Sequence, residues 1–349
     1  MGTAGMLAGN HGSRLQDKVR AMRVFGVVLV LWLASVPASA SDTGQALRVA
    51  VLKFGTVSWV IDVITHHGLD RKHGLRLSVT PLASTLATKV ALQAGSTDVI
   101  VSDWLWVSRQ RRTGADFTLA PYSTALGAVM VQEASEIEGL ADLKGRTVGV
   151  AGGPLDKSWL LLTAFARRSA GIDLISETRQ VFGAPPLLAE KARQGELDAV
   201  LNYWHFCARL EAHGFRRLVD VHAAMAGLGA QGRLPMIGYV FSEAWARKNP
   251  ELIAGFLKAS AEANALLAGS EAEWQRLRPL MRAGDDGTWR ALRDRFREGI
   301  PKPGATADGA DAALLFGVLA KLGGAKLVGP GESLAAGTFW HGAGPMSPP

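Results

Sequence analysis

A chain of 349 residues with 48% apolar content is long enough for two domains, and its single cysteine, Cys207, excludes an internal disulfide, so the core must hold without covalent staples. The formal charge of +7 falls by three once residues 1–40 are set aside, because Arg14, Lys18, Arg20 and Arg23 stand there against Asp17 alone. The remaining positive charge is thinly spread with no Lys/Arg block, which excludes a nucleic-acid partner.

The first segment has the order of a secretory signal. Arg14 to Arg23 form a basic region, the apolar run Val24 to Ala34 follows, Pro37 breaks it, and Ala38-Ser39-Ala40 supplies small residues for cleavage. A membrane anchor needs ~20 consecutive apolar residues, about twice what this run has. Residues 1–40 are therefore predicted to be a signal peptide cut near Ala40, with a periplasmic product. No apolar run after residue 41 is long enough to span a bilayer, and no cysteine follows the cleavage point to carry a lipid.

Strand and helix patterns then alternate. Leu47–Leu52 reads as a strand, Val60–Leu69 as a helix ending near Gly68, and Leu75–Val79 as a second strand. Thr85–Ala94 is a helix stopped by Gly95, followed by a buried strand over Asp98–Val101. A second unit opens with strands Ala128–Val131 and Thr147–Val150, a helix from Leu155 to Ala170, a helix Leu188–Gln194 closed by Gly195, and a strand Leu197–Leu201. Each unit carries helix, Gly-x-x-Asp and strand, at Gly95/Asp98 and at Gly195/Asp198, so two similar lobes are expected. The alternation predicts α/β architecture with largely parallel sheets. Asn249-Pro250-Glu251 opens a helix to about Leu267, with Asn249 as N-cap and proline in the first turn. Beyond it the chain is helical and rich in Gly and Ala, and 341–349 is predicted to be a disordered tail.

Several of these segments form a recognisable set. Gly68 to Leu77 (GLDRKHGLRL), Ala94 to Val99 (AGSTDV), Asp142 to Val150 (DLKGRTVGV), Gly195 to Val200 (GELDAV) and Asn249 to Leu252 (NPEL) resemble the SsuA/TauA/NMT1-like family of periplasmic binding proteins, which serve ABC importers for alkanesulfonates, taurine, nitrate and a thiamine pyrimidine precursor. The resemblance runs from about Leu47 to Leu267. It implies a type II periplasmic binding fold: two α/β lobes, each a sheet flanked by helices, joined by a two-stranded hinge and closing on ligand. The expected division is 46–124 with 239–340 as lobe 1 and 125–238 as lobe 2. The implied role is a monomeric solute-binding component that captures a small molecule and delivers it to a membrane permease and ATPase complex. The resemblance does not name the ligand, because function resides in the site rather than the scaffold.

In open α/β sheets ligands sit beyond the carboxyl ends of the strands. Four segments follow strands here: Lys53 to Trp59, Ser102 to Trp106, Gly152 to Trp159 and Asn202 to His205. They contain Trp59, Trp104, Trp106, Trp159 and Trp204, half of the chain's ten tryptophans. Tryptophan in such places either packs the lobe or stacks on a planar or cationic ligand; Trp106 and Trp159, set further past the strand ends, are expected to be structural. The candidate ligand-binding residues are Ser58, Trp59, Asp103, Trp104, Gly153, Asp156, Ser158, Asn202, Tyr203 and Trp204. The glycine turn could bring backbone N–H groups and a helix N-terminus to a ligand. Asp156 either caps that helix or meets the ligand, and Asp103 adds a second carboxylate. Two acids among tryptophans favour a planar heteroaromatic or amine-bearing metabolite, with a sulfonate or taurine as the next choice.

Other chemistry finds little support. The turn after Gly149 lacks the G-x-x-x-x-G-K-[ST] spacing of a phosphate loop, and no G-x-S-x-G elbow or cofactor site is evident. His66, His67 and His73 lie around a helix end without H-E-x-x-H or a matched acid, which reads as a solvated face rather than a metal site. Cys207 is expected to be buried. The alternative function is a periplasmic enzyme on the same scaffold, comparable to a pyrimidine synthase among the family's eukaryotic relatives, or a sensor subunit. The export signal and the absence of a catalytic motif favour binding without turnover.

Overall fold

The computed structural model describes residues 1–2, 44–232, 234–301 and 309–342. Apart from residues 1–2, the expected signal peptide lies outside the described residues, as does 343–349 of the expected tail. Gly44 onward forms one unit by its internal contacts.

Its first part runs β1 (Gln45–Leu52), α1 (Val57–His66), α2 (Leu69–Lys72), β2 (Leu75–Leu82), α3 (Thr85–Gln93), β3 (Val99–Asp103), α4 (Trp104–Arg112) and β4 (Phe117–Ser123). The chain then passes to β5 (Ala128–Gln132), β6 (Thr147–Ala151), α5 (Lys157–Ala170), α6 (Leu174–Glu177), β7 (Arg179–Gly183), α7 (Pro185–Arg193), β8 (Ala199–Asn202), α8 (Trp204–Glu211), β9 (Phe215–Asp220) and α9 (Val221–Gly227). It returns through β10 (Ile237–Ser242), α10 (Glu243–Lys248), α11 (Pro250–Gly269), α12 (Glu271–Met281), α13 (Asp286–Glu298) and α14 (Gly309–Val328).

The strands form two five-stranded sheets of identical plan, β2-β1-β3-β10-β4 and β7-β6-β8-β5-β9. The expected two-lobed α/β fold is present, but the sheets are mixed rather than largely parallel. β10 runs antiparallel to β3 and β4, and β5 runs antiparallel to β8 and β9. In each sheet the reversed strand is the one that follows a crossing from the other lobe. It therefore enters with no preceding crossover helix to set it parallel.

The repeated Gly-x-x-Asp has a physical reason. Gly95 and Gly195 both take left-handed φ (68° and 76°) to end α3 and α7. Each following aspartate then locks the next strand, the central one of its sheet, onto its parallel neighbour. Asp98 accepts the Arg48 N–H at 2.9 Å while its own N–H donates to the Arg48 carbonyl at 2.9 Å. Asp198 makes the same pair with Thr147, at 2.7 and 3.0 Å. Acidic side chains at these sites fix the register of β3 on β1 and of β8 on β6.

The helix expected over Val60–Leu69 is divided, because Gly68 adopts φ 62° between α1 and α2. α11 begins at Pro250 as expected, but Asn249 does not cap it through its side chain. The Asn249 amide instead donates to the Trp245 carbonyl at 2.9 Å and so closes α10. α14 packs on both α4 of the first lobe and α5 of the second. The segment after it is tied to α4 by arginines: Arg112 donates to the Ser333 carbonyl, Arg111 to the carbonyls of Ala336 and Phe117 and to Glu243. Phe339 then bridges to Leu119 beside β4.

Candidate functional site

The carboxyl ends of β3, β6 and β8 carry the polar residues that the sequence singled out. Asp103 is the last residue of β3 and the N-cap of α4: its Oδ1 accepts the Trp106 N–H at 2.9 Å. Its Oδ2 faces two ammonium groups, Lys89 Nζ from α3 and Lys157 Nζ from α5, each at 3.6 Å. One lysine belongs to each lobe, so this carboxylate joins them. Both contacts lie in ion-pair range but exceed the ~2.7–2.9 Å of a direct charge-assisted hydrogen bond.

Asp156 is arranged in the same way. Its Oδ1 caps α5 by accepting the N–H groups of Ser158 and Trp159 at 2.9 and 3.1 Å. Its Oδ2 and the Tyr203 hydroxyl both converge on Gly152, where an added Cβ would lie 3.4 Å from each. Gly152 has φ 95°, a conformation that side-chain-bearing residues rarely adopt. Thus the sequence alternative for Asp156, cap or ligand contact, is not exclusive, since one oxygen caps and the other remains at the strand ends.

Electrostatics favour the charged forms of Asp103 and Lys157 and oppose those of Lys89 and Asp156. Burial pushes the Asp103 carboxyl up, but the ammonium groups of Lys157 and Lys89 outweigh it and hold the group below its ordinary value. Burial likewise opposes the charge on Lys157, and Asp103 and Asp156 reverse this to raise it. Lys89 is lowered, mainly by burial, and its ammonium also lies 5.1 Å over the Trp106 ring. Asp156 is raised by burial, an effect that Lys157 only partly offsets, and Tyr203 is raised by burial and then by Asp156. Two acidic and two basic side chains thus gather where the lobes meet. Beside them, Ser102 Oγ and Trp104 Nε1 are buried with no hydrogen-bond partner among the described residues.

Most of the remaining sequence candidates are engaged in local turns or in packing. Ser58 donates to the Gly55 carbonyl at 2.6 Å within its own turn. Asn202 is buried; its amide donates to the Pro185 carbonyl and its oxygen accepts the Tyr203 N–H, which sets the turn that carries Tyr203. Trp59 and Trp204 are brought together edge to face at 6.0 Å, with Trp274 and Phe296 closing around Trp59. Trp104 is fully buried and packs against Phe339. Trp106 stacks on Phe117, and Trp159 is buried in the core, as expected for these two. Gly153 has no heavy atom near where a side chain would project, and Ser158 is half-buried at the start of α5.

Sequence reasoning missed Lys89 and the role of Lys157. Lys157 stood inside a segment already marked, next to Asp156. Lys89 is a lone cation within an otherwise uncharged helix and gave no usable signal. Cys207 is buried as expected, and its thiol contacts the Asn202 carbonyl at 3.2 Å.

Two sheets of like order with polar residues gathered at their facing strand ends define the two-lobed fold of type II periplasmic binding proteins. The family model described as NMT1/THI5 like matches residues 64–270, more than half of the chain, and the chain belongs to that family. None of the curated proteins matches it. Among solved structures it is similar to the periplasmic aliphatic sulphonate binding protein SsuA from Escherichia coli, with 23% identity and a TM-score of 0.68 over 87% of this chain and 95% of that one. It is also similar to the alkanesulfonate-binding protein SsuA from Xanthomonas axonopodis pv. citri bound to MOPS, with 18% identity and a TM-score of 0.63 over 85% and 98%. A ligand-binding component of an ABC-type import system from Staphylococcus aureus aligns at 12% identity and a TM-score of 0.60, over 84% and 96%.

Proposed function

We propose that this protein is the periplasmic solute-binding component of an ABC importer, a monomer that captures a small organic molecule between its lobes and hands it unchanged to a membrane permease and its ATPase. Lobe 1 comprises 46–124 and 239–340, and lobe 2 comprises 125–238. The observation that carries this reading is the Asp103 carboxylate standing 3.6 Å from a lysine of each lobe. A ligand that enters there exchanges partners with both lobes at once, which couples binding to lobe closure.

The cluster supports a ligand that bears an amine for Asp103 and Asp156 and an anionic or acceptor group for Lys89 and Lys157. Tyr203, Ser158 and the backbone at Gly153 stand ready to add hydrogen bonds. Trp59 and Trp204 are engaged with each other and with Phe296. That makes planar stacking a weaker basis for choosing the ligand than the charge pattern, and an amino-sulfonate such as taurine becomes a leading probe.

The test is calorimetry and thermal unfolding with taurine, simple alkanesulfonates, nitrate, pyrimidines and small amines, with the ligand recovered and analysed afterwards. A ligand at 100 times its Kd stabilises the folded state by ~2.7 kcal/mol. The expected result is one strong hit, returned intact, and lost in Lys157→Met and in Asp103→Asn. Asp103→Asn keeps a capping oxygen while removing the charge. A hit that survives both substitutions, or a ligand returned chemically altered, would overturn the proposal.

A further inference from the structure

At the opposite end of α1 from the strand-end cluster, three metal-type ligands meet. His66 closes the last turn of α1, His67 is its C-cap, and Glu273 lies in the first turn of α12. Their nearest ring nitrogens and carboxylate oxygen all lie within 4.8 Å of one another. The two imidazoles stand edge to face with centroids 4.9 Å apart, and His67 Nε2 is 2.9 Å from Glu273 Oε1. Both histidines are exposed and the glutamate is buried. The matched acid that the sequence did not reveal is thus supplied from more than two hundred residues away.

Glu273 is held as a ligand would be held. Its Oε2 accepts from Arg276 Nε and Nη2 at 3.1 and 2.9 Å, which turns Oε1 toward the histidines. Arg276 in turn donates to Asp62 Oδ1 at 2.5 Å, from the same helix as His66. Such outer hydrogen bonds orient a metal-binding carboxylate and fix its free oxygen. The guanidinium does not spoil the site for a cation, because Asp62 and Glu273 together outnumber it by one negative charge.

We infer that His66, His67 and Glu273 bind one first-row divalent transition-metal ion of the zinc type. Two imidazoles and a carboxylate suit a borderline ion at ~2.0–2.2 Å per bond, which places ligand atoms about 3.3 Å apart. His67 Nε2 and Glu273 Oε1, now 2.9 Å apart, need to part only slightly to reach it, and rotation of the exposed His66 ring closes the third side. Water completes the coordination on the open face. The ion would staple α1 to α12 within one lobe. His66 lies about 14 Å along α1 from Val57, at ~1.5 Å per residue, so this site is independent of the solute cleft and does not rest on its assignment.

The test is equilibrium dialysis of the full, untagged, chelator-stripped chain against zinc chloride, with metal counted per chain. The expected result is one ion per chain at micromolar affinity, weakened at least tenfold by His66→Ala and by His67→Ala and unchanged by His73→Ala. His66→Ala removes only an exposed ring, so it tests the site without disturbing the core. Glu273→Gln, checked for folding by circular dichroism, should weaken binding similarly. Absence of saturable binding, or binding that survives both His66→Ala and His67→Ala, would overturn the assignment.

Discussion

Replacing Gly127 by alanine places a methyl group 1.8 Å from the Asn202 carbonyl oxygen, 2.9 Å from its carbonyl carbon and 3.3 Å from the Tyr203 Cα. All three atoms are backbone, so no side-chain rotation can relieve the contact. Real Cβ atoms essentially never approach closer than 3.0 Å, so the chains must part by about 1.2 Å. Gly127 immediately precedes β5, whose first residue Ala128 pairs with Asn202 of β8. Separation there breaks the pairing of the reversed strand with its neighbour and displaces the turn that presents Tyr203. Forcing extra volume into a packed site costs about 1–3 kcal/mol, and with rigid partners the upper end applies. At ~2 °C per kcal/mol, the lower end of the range for 150–250-residue domains, the midpoint of thermal unfolding should fall by roughly 6 °C. Gly153→Ala is the control. Nothing lies within 4 Å of its added methyl and its φ is not positive, so stability should stay within about 1 kcal/mol of the parent. Circular dichroism melts of the two variants decide the matter. An unchanged midpoint for Gly127→Ala, or an equal fall in both, would refute the steric reasoning.

Two further expectations concern pH. Burial, aided by Arg209, pushes His205 down to about 4, and its Nδ1 is buried with no hydrogen-bond partner among the described residues. The unfolded imidazole takes up a proton near pH 6.5, so this contribution to stability is complete above that pH and is lost as the pH falls toward 4. His205→Gln should flatten the melting midpoint across that interval, and an identical slope in the variant would count against the assignment. Burial pushes the Cys207 thiol up to about 12. Its contribution is complete below the unfolded thiol's value near 9 and is lost as the pH rises toward 12. A thiol reagent at pH 8 should therefore label Cys207 only after denaturation, and rapid labelling of the folded chain would contradict its burial.

Much of the fold was legible because it is written locally. The buried strands are apolar runs, and the helices that precede β3 and β8 end at glycines that need left-handed φ. The repeated aspartates bond strands directly beside them. Strands whose identity depends on partners were not read. β7 is an edge strand with no fully buried residue. β9 carries Arg216, whose charge is met by Glu138 from far back in the chain, and Arg217, which pairs with Glu211 of the preceding helix and with Asp220. β10 gains its place only by lying reversed between β3 and β4. The tryptophans show the same limit: their position past strand ends suited a pocket, but Trp274 and Phe296, which enclose Trp59, arrive from helices far along the chain.

The site was half legible for a reason that lies in the carboxylate itself. At Asp156 the sequence signal is that of an N-cap, and the structure shows Asp103 to be one as well, so capping alone would account for an aspartate at either place. A cap uses one oxygen. In each case Oδ1 takes the helix N–H groups, which fixes the side chain so that Oδ2 is aimed past the strand end with little rotational freedom left. The capping bond thus preorganises the group that meets Lys89 and Lys157 at one aspartate and lies with Tyr203 over Gly152 at the other. Local structure and the candidate site are built from the same atoms, so the Asp156 cap could be read from its neighbouring residues, whereas the lysines that partner Asp103 come from separate helices and could not.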